Sequence, residues 1–364
     1  MNTRHVAAIA VVLPAALVGQ PITSASPANK RQAGSAAAAD VGADARQDQI
    51  LLPINNGKSF RTLDDSTLFP EGMSHDARTG TVYVSSLHHH NIMALSRSGG
   101  SRWLMPQVLP NVGGIYGIAV DTARGIIWAT SAAAPGTSVL AASDSALPAL
   151  LEVRLADGKQ LRRWEMRSAA PITSPGDIAL SPTGDVLVSD SQAGVLWLLP
   201  AGGDTLIAIR HRLFRSLQGL VPSRDGKAVW VADYSHGLLR VELPGGATTR
   251  VADLAGHTTV GIDGLVAHGN TLIGVQNLFN PAQVVQLTLN AEGTRIVKHA
   301  VLDRNVLATS PTGGIVIDYA VVHIANSLWD FVGQWGTVTQ GVRLPKPLLL
   351  RLPLTSPPQR IDRR

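Results

Sequence analysis

The stretch Gln218–Leu243 reads QGLVPSRDGKAVWVADYSHGLLRVEL. It opens on Gly219-Leu220, passes through a short apolar strand to the turn Asp225-Gly226, and returns along Ala228–Val231. Glycine in that turn supplies the positive φ that a tight reversal needs. A further strand follows over Gly237–Leu243. There Leu239, Val241 and Leu243 alternate with Arg240 and Glu242, the period-two pattern of a half-buried strand. The same unit starts six times: at Gly72-Met73, Gly117-Ile118, Asp177-Ile178, Gly219-Leu220, Gly264-Leu265 and Gly314-Ile315. Successive starts lie 45, 60, 42, 45 and 50 residues apart. A period in the forties, built of short strands and turn residues, predicts propeller blades of four strands each.

The predicted fold is therefore all-β, a six-bladed β-propeller. Second strands are expected at Val82–Val84, Ile126–Ala129, Val186–Val188, Ala228–Val231, Thr271–Val275 and Val321–Ala325, and third strands after each of them. Fourth strands are expected around Trp103, Leu161, Leu206, Thr249 and Ile296. The sixth blade lacks one, because the sequence ends soon after Leu354. An N-terminal strand at Lys58–Leu63 is predicted to complete it, which removes the two free edges of an open ring.

Composition agrees with one large domain over residues 49–364. Of 364 residues, 45% are hydrophobic and 16% charged, which is enough apolar content for a sizeable core. The 35 glycines and 22 prolines favour many turns over long helices. The net charge of +5 owes much to the arginines between Arg343 and Arg364, and no basic face is interleaved with aromatics, so no nucleic-acid partner is expected. With no cysteine, disulfide frameworks, thiolate catalysis and Cys-based zinc sites are excluded. Residues 1–25 have the layout of a cleaved signal peptide: Arg4 and His5, the apolar run Val6–Val18, then small residues at Thr23–Ala25. Residues 26–48, rich in Ala, Ser, Gly and Asp, read as a flexible linker. The expected location is periplasmic or secreted, and no membrane span is expected in the mature chain.

In such a ring the residues just before the repeat starts form a column around the axis: Glu71, Tyr116, Gly176, Gln218, Asp263 and Gly313. Two carboxylates and an amide converging there suit a hard divalent cation; the alternative is a wet tunnel that binds only water. Loops after the second strands bring His88, His89, His90, Asp190, Asp233, Tyr234, His236, Gln276, Asn277 and Asn326 to the same face. Three adjacent histidines point in different directions, so a solvated rim is the simpler reading of them. Asp190 and Asp233 end their strands at matching positions, where a carboxylate either binds the next loop's backbone or faces a ligand. Two insertions, Ser131–Pro148 and Ser327–Lys346, flank the first blade as a candidate lid, the second carrying Trp329, Phe331 and Trp335. Aromatics at such a rim suit stacking on a small flat ligand. No Gly-x-Ser-x-Gly elbow and no phosphate-binding loop are present.

Four segments resemble the gluconolactonase/regucalcin (senescence marker protein) family: Pro70-Glu71-Gly72; Ser174–Ile178 with Ser181–Asp185; Leu217–Leu220; and Ile262–Leu265. The resemblance runs from about Ser66 to Leu354. It implies a six-bladed propeller with a divalent cation, usually calcium, at the axis, and hydrolysis of sugar lactones or similar esters. Glu71 and Asp263 match the first and last ligands, Asp263 also matching the family's proposed general base. Where the family has asparagine in the third and fourth blades this chain has Gly176 and Gln218. Gly176 offers no side chain, although Asp177 matches the residue after it, and Gln218 keeps an amide oxygen. The resemblance thus implies metal ligands Glu71, Gln218 and Asp263, and Asp263 as catalytic base. Tyr116, Asp177, Asp190, Tyr234, Asn277 and Trp329 are the candidate substrate-binding residues, for a small molecule such as a sugar lactone or ester. Ser181–Leu199 also resembles NHL-type repeats, which leaves a second reading open: a non-catalytic propeller that binds a small molecule or protein.

Overall fold

A computed structural model describes residues 51–354, save 108, 135–145, 171, 333–337 and 339–340. The signal peptide and linker expected over 1–48 lie outside the described residues, as does Trp335. Six sheets follow one another along the chain, all but one wholly antiparallel. Blade 1 holds Met73–Asp76, Thr81–Ser86, Asn91–Leu95 and Ser101–Trp103, and blade 2 holds Gly114–Asp121, Ile126–Ala132, Ala149–Arg154 and Gln160–Glu165. Blade 3 holds Pro175–Leu180, Val186–Asp190, Val195–Leu199 and Ile207–Ile209. Blade 4 holds Leu217–Pro222, Ala228–Asp233, Gly237–Glu242 and Thr248–Arg250. Blade 5 holds Ile262–His268, Thr271–Gln276, Gln283–Leu289 and Arg295–Asp303, and blade 6 holds Gly314–Ile317, Ala320–Ile324 and Leu348–Pro353. The innermost strand of each blade contacts the innermost strand of the next, and that of blade 6 contacts that of blade 1.

The ring closes through the N-terminal strand. Lys58–Thr62 pairs antiparallel with Leu348–Pro353, Lys58 opposite Arg351 and Thr62 opposite Leu348, and so becomes the outer strand of blade 6. Blade 5 carries a feature the repeat does not announce. The two-residue strand Ala252–Asp253 pairs in parallel with Arg295–Asp303 and makes this sheet five-stranded.

Each seam between blades is filled by its own buried cluster, because every strand turns one face to each neighbouring blade. Ile92 and Tyr83 of blade 1 meet Ile118 and Leu151 of blade 2. Trp128 of blade 2 meets Val188 and Trp197 of blade 3. Leu196 meets Val229 across the next seam, and Leu238 meets Leu265 across the one after. Ile273 meets Leu352, and Val322 of blade 6 meets Val84 of blade 1. At roughly 1.5–3 kcal/mol for each fully buried aliphatic side chain, these seams outweigh any surface ion pair in holding the ring.

The repeat glycine has a packing cause. Inner strands crowd together at the axis, so a Cβ on Gly72 would stand 2.5 Å from the Tyr116 carbonyl oxygen, and one on Gly117 2.3 Å from that of Gly176. Only glycine fits so close an approach.

Candidate functional site

Register shifts break the inner strand's pairing just at the repeat starts: between Ile115 and Ile118, Pro175 and Ile178, Leu217 and Leu220, and Ile262 and Leu265. A bulge re-aims the residues it contains. In blades 1, 2 and 3 a hydroxyl from the second strand bonds the start of the inner strand, which in blades 2 and 3 is the shifted segment. Ser85 Oγ accepts from Gly72 N at 2.8 Å and donates to Tyr116 O at 2.6 Å. Thr130 Oγ1 accepts from Gly117 N at 2.8 Å and donates to Gly176 O at 2.7 Å, while Ser189 Oγ accepts from Asp177 N at 3.1 Å. Ser85 thereby ties blade 1 to blade 2 and Thr130 ties blade 2 to blade 3, whereas Ser189 bonds within its own blade; no motif in the sequence marks these hydroxyls.

Glu71, Asp177 and Asp263 are brought into one electrostatic neighbourhood at the axis. Asp177 helps line a small axial cavity of about 50 Å³ with Gly72, Ile118, Gly264 and Gly313. All three residues are half-buried, and burial dominates the chemistry of their carboxylates. Burial, then the charges of Asp263 and Asp177, hold Glu71 well above the usual carboxylate range, against the pull of a hydrogen bond from Trp329. Burial and Asp263 push Asp177 up to about 7. Burial raises Asp263 to about 6, opposed by its bond from Asn277.

The polar partners of this group come from the loops above it. Trp329 Nε1 donates to Glu71 Oε2 at 2.7 Å. Asn277 Nδ2 donates to Asp263 Oδ2 at 2.7 Å and to Pro311 O at 3.0 Å, and Tyr234 OH donates to Asn277 Oδ1 at 2.9 Å. Burial and Asp263 push the Tyr234 phenol up to about 12, so it stays a donor. Glu71 is anchored from blade 6 as well, its carbonyl accepting from Thr312 Oγ1 at 3.1 Å. Gln218 is half-buried, and its amide donates to Ser216 Oγ at 3.3 Å, leaving the amide oxygen as its donor toward a ligand. Tyr116 OH donates to Ala133 O at 3.3 Å, which turns the ring toward the blade 2 insertion.

The insertions meet over blade 1. Leu328 and Ala134 are buried with Phe69 and Leu87, and Tyr116, Trp329 and Phe331 pack against them. Trp329 thus joins the rim cluster to the axial carboxylates.

One sequence expectation, Asp190 as a substrate-binding residue, needs correction, and the alternative reading of Asp190 and Asp233 as backbone-binding carboxylates holds. Asp190 is fully buried: Oδ1 accepts from Ser174 N, Gln192 N and Ala193 N, and Oδ2 from Trp197 Nε1. All its bonding capacity lies in the scaffold, so it does not face a substrate. Asp233 is the same device one blade on, accepting from Arg215 N, Ser216 N, Ser235 N and His236 N. Within the histidine run, His89 Nε2 lies 2.7 Å from Asp65 Oδ2, and its ring packs 4.8 Å from Trp103. Among the described residues no three His, Cys, Asp or Glu side chains are grouped to hold a metal ion.

No family model and no curated protein matches the chain. Solved structures do resemble it. A gluconolactonase from Xanthomonas campestris is 15% identical, with a TM-score of 0.54 over 83% of this chain and 91% of that one. The PQQ-bound aldose sugar dehydrogenase of Streptomyces coelicolor is 13% identical, with a TM-score of 0.55 over 83% and 99%. A virginiamycin B lyase from Staphylococcus aureus is 15% identical, with a TM-score of 0.52 over 72% and 80%. At these identities the likeness shows the propeller fold. Among the described residues no helix is long and apolar enough to cross a membrane.

Proposed function

We propose that the chain is an exported hydrolase of a lactone or similar ester, acting at the tunnel mouth where Glu71, Asp177 and Asp263 meet. The observation that carries this reading is the state of those carboxylates. They are surrounded by protein and repel one another, and among the described residues no Lys, Arg or His pairs with any of them. Natural structures keep unpaired buried charge at a cost of several kcal/mol, and functional sites are where they keep it.

A divalent cation, calcium by its preference for hard oxygen donors, fits this set in charge and donor chemistry. Because among the described residues no three acidic or histidine side chains stand close enough to share one ion, Glu71 and Asp263 would hold it with the amide oxygen of Gln218, the rest of its shell being water. When bound, it supplies polarisation of the substrate carbonyl and a lowered pKa for a bound water.

The residues present account for the other parts of the reaction. Asp263 takes the proton of the attacking water. The bond from Asn277 fixes Oδ2 and leaves Oδ1 as the basic atom. Tyr234 holds Asn277 in the orientation that presents its amide N–H to Asp263. Trp329 orients Glu71 through its indole N–H, and its ring would offer a small cyclic substrate an aromatic face. Gluconolactonase among the neighbours supports the substrate class. Hydrolysis of a panel of five- and six-membered lactones by the wild type and by Asp263→Asn tests the proposal. Equal rates in the two would end it.

One observation favours the non-catalytic reading: among the described residues no cluster of three acidic or histidine ligands is preformed. On that reading the same mouth binds a small molecule against Trp329, and no lactone is turned over.

A further inference from the structure

The ends of the strands away from the mouth shape a second site. Asp76 and Thr81 flank the first turn of blade 1, and Ile317 and Ala320 flank that of blade 6. Both turns lie at the far end of the inner strands, on the face opposite Glu71. Between blades 6 and 1, where the N-terminal strand closes the ring, a groove of about 490 Å³ opens there, a size typical of small-molecule sites. Its apolar lining includes Phe60, Leu95 and Ile317, and Phe60 is 42% exposed.

Arg61, Arg97 and Arg351 also line this groove, against the single acid Asp318. Their bonds within the fold are unequal. Arg61, on the closing strand, donates to the carbonyls of Ser96, Gly99 and Gly100, so it fastens the closing strand to blade 1. Arg351 donates through one nitrogen to Asp318 O at 3.2 Å, a carbonyl that leaves the charge unpaired. Arg97 is exposed and has no hydrogen-bond or ion-pair partner among the described residues. Burial holds the fourth basic group, His75, below its usual range and so toward the neutral form. The groove thus combines an apolar floor with two guanidinium groups whose charge the fold does not neutralise.

We infer that this groove binds an organic carboxylate with an apolar body, its head on Arg97 and Arg351 and its body against Phe60, Leu95 and Ile317. A planar guanidinium pairs with a carboxylate through two parallel bonds. Removing the apolar body from water adds affinity that a bare anion lacks. The site is independent of the axial carboxylates, so it stands or falls apart from the hydrolase reading.

Isothermal titration of the whole chain with 4-phenylbutyrate tests this, with 4-phenylbutanol and acetate as probes of body and charge alone. One carboxylate is expected to bind per chain, at least tenfold tighter than either control. Arg97→Glu should weaken it at least tenfold with an unchanged melting temperature, since Arg97 supports no internal contact of its own charge. Arg351→Gln should weaken it in the same direction, and Glu71→Gln should leave it unchanged. Equal binding of all three probes, undiminished affinity in Arg97→Glu, or loss of binding in Glu71→Gln would each overturn the assignment.

Discussion

Buried carboxylates on one face of this propeller meet two opposite fates. At the ends of the second strands of blades 3 and 4, Asp190 and Asp233 each accept four hydrogen bonds, the backbone of the neighbouring loops supplying nearly all of them. At the axis, Glu71 and Asp263 each accept one bond from a side chain, and Asp177 lies among like charges. A carboxylate whose lone pairs are filled by N–H groups is part of the scaffold. One that is desolvated, crowded by its own kind and left with free lone pairs has bonding capacity that the fold does not use. The comparison sets a carboxyl group used up by the scaffold against one that the proposed function puts to use.

The sharpest way to break this comparison is to exchange roles by mutation. Asp263→Asn should lower lactone hydrolysis by about 100- to 10,000-fold, the range of a lost general base, while the fold survives. A melting curve alongside the rates distinguishes lost chemistry from lost structure. Asp233→Ala should do the reverse, destabilising the chain by about 3 kcal/mol in urea titration, because it strands buried N–H donors. The same titration on Asp177→Asn at pH 8 should show no loss, or a gain, since it removes a repelled charge. If both variants lost stability equally, the distinction between scaffold and site would collapse.

The effect of pH sharpens it further. Asp177 and Asp263 hold their protons longer in the folded chain, at about 7 and about 6, than the ordinary aspartate value of 3.8. Their contribution to stability is therefore complete below about pH 4 and lost as pH rises through 6 to 7. Chelator-treated protein should melt at a lower temperature at pH 8 than at pH 5 through this term, and added calcium should recover the difference at pH 8 only. A calcium response of equal size at both values would contradict the account. The smallest effect is expected of Trp329→Phe, which keeps the ring but removes the donor to Glu71. A loss of about 1 kcal/mol, read as about a fivefold lower rate, is what one hydrogen bond accounts for.

The ring itself was readable because propeller blades impose a repeat. Turn glycines, alternating strands and the missing outer strand of blade 6 all lie within short stretches of sequence, down to the closing strand Lys58–Thr62. The glycine at each start was legible as a pattern, although its cause, the approach of one inner strand to the next, is a property of the closed ring. The pairing of Trp329 with Glu71 spans 258 positions and depends on how an insertion folds back, which no local pattern encodes. Asp190 illustrates the opposite limit, since the sequence left backbone binding and ligand binding both open there. Its position on the mouth face was visible, but the four donors that occupy it appear only once the loops are folded. The extra strand Ala252–Asp253 escaped for a simpler reason, since two residues are too few to show a period.

The central claim is that the axial carboxylates form a cation-dependent site. Titrating calcium into chelator-treated protein at pH 8, for the wild type, Glu71→Gln and Asp263→Asn, tests it most directly. The account predicts one ion bound per wild-type chain and at least tenfold weaker binding in each variant. No binding to the wild type, or binding that both variants leave intact, would contradict it.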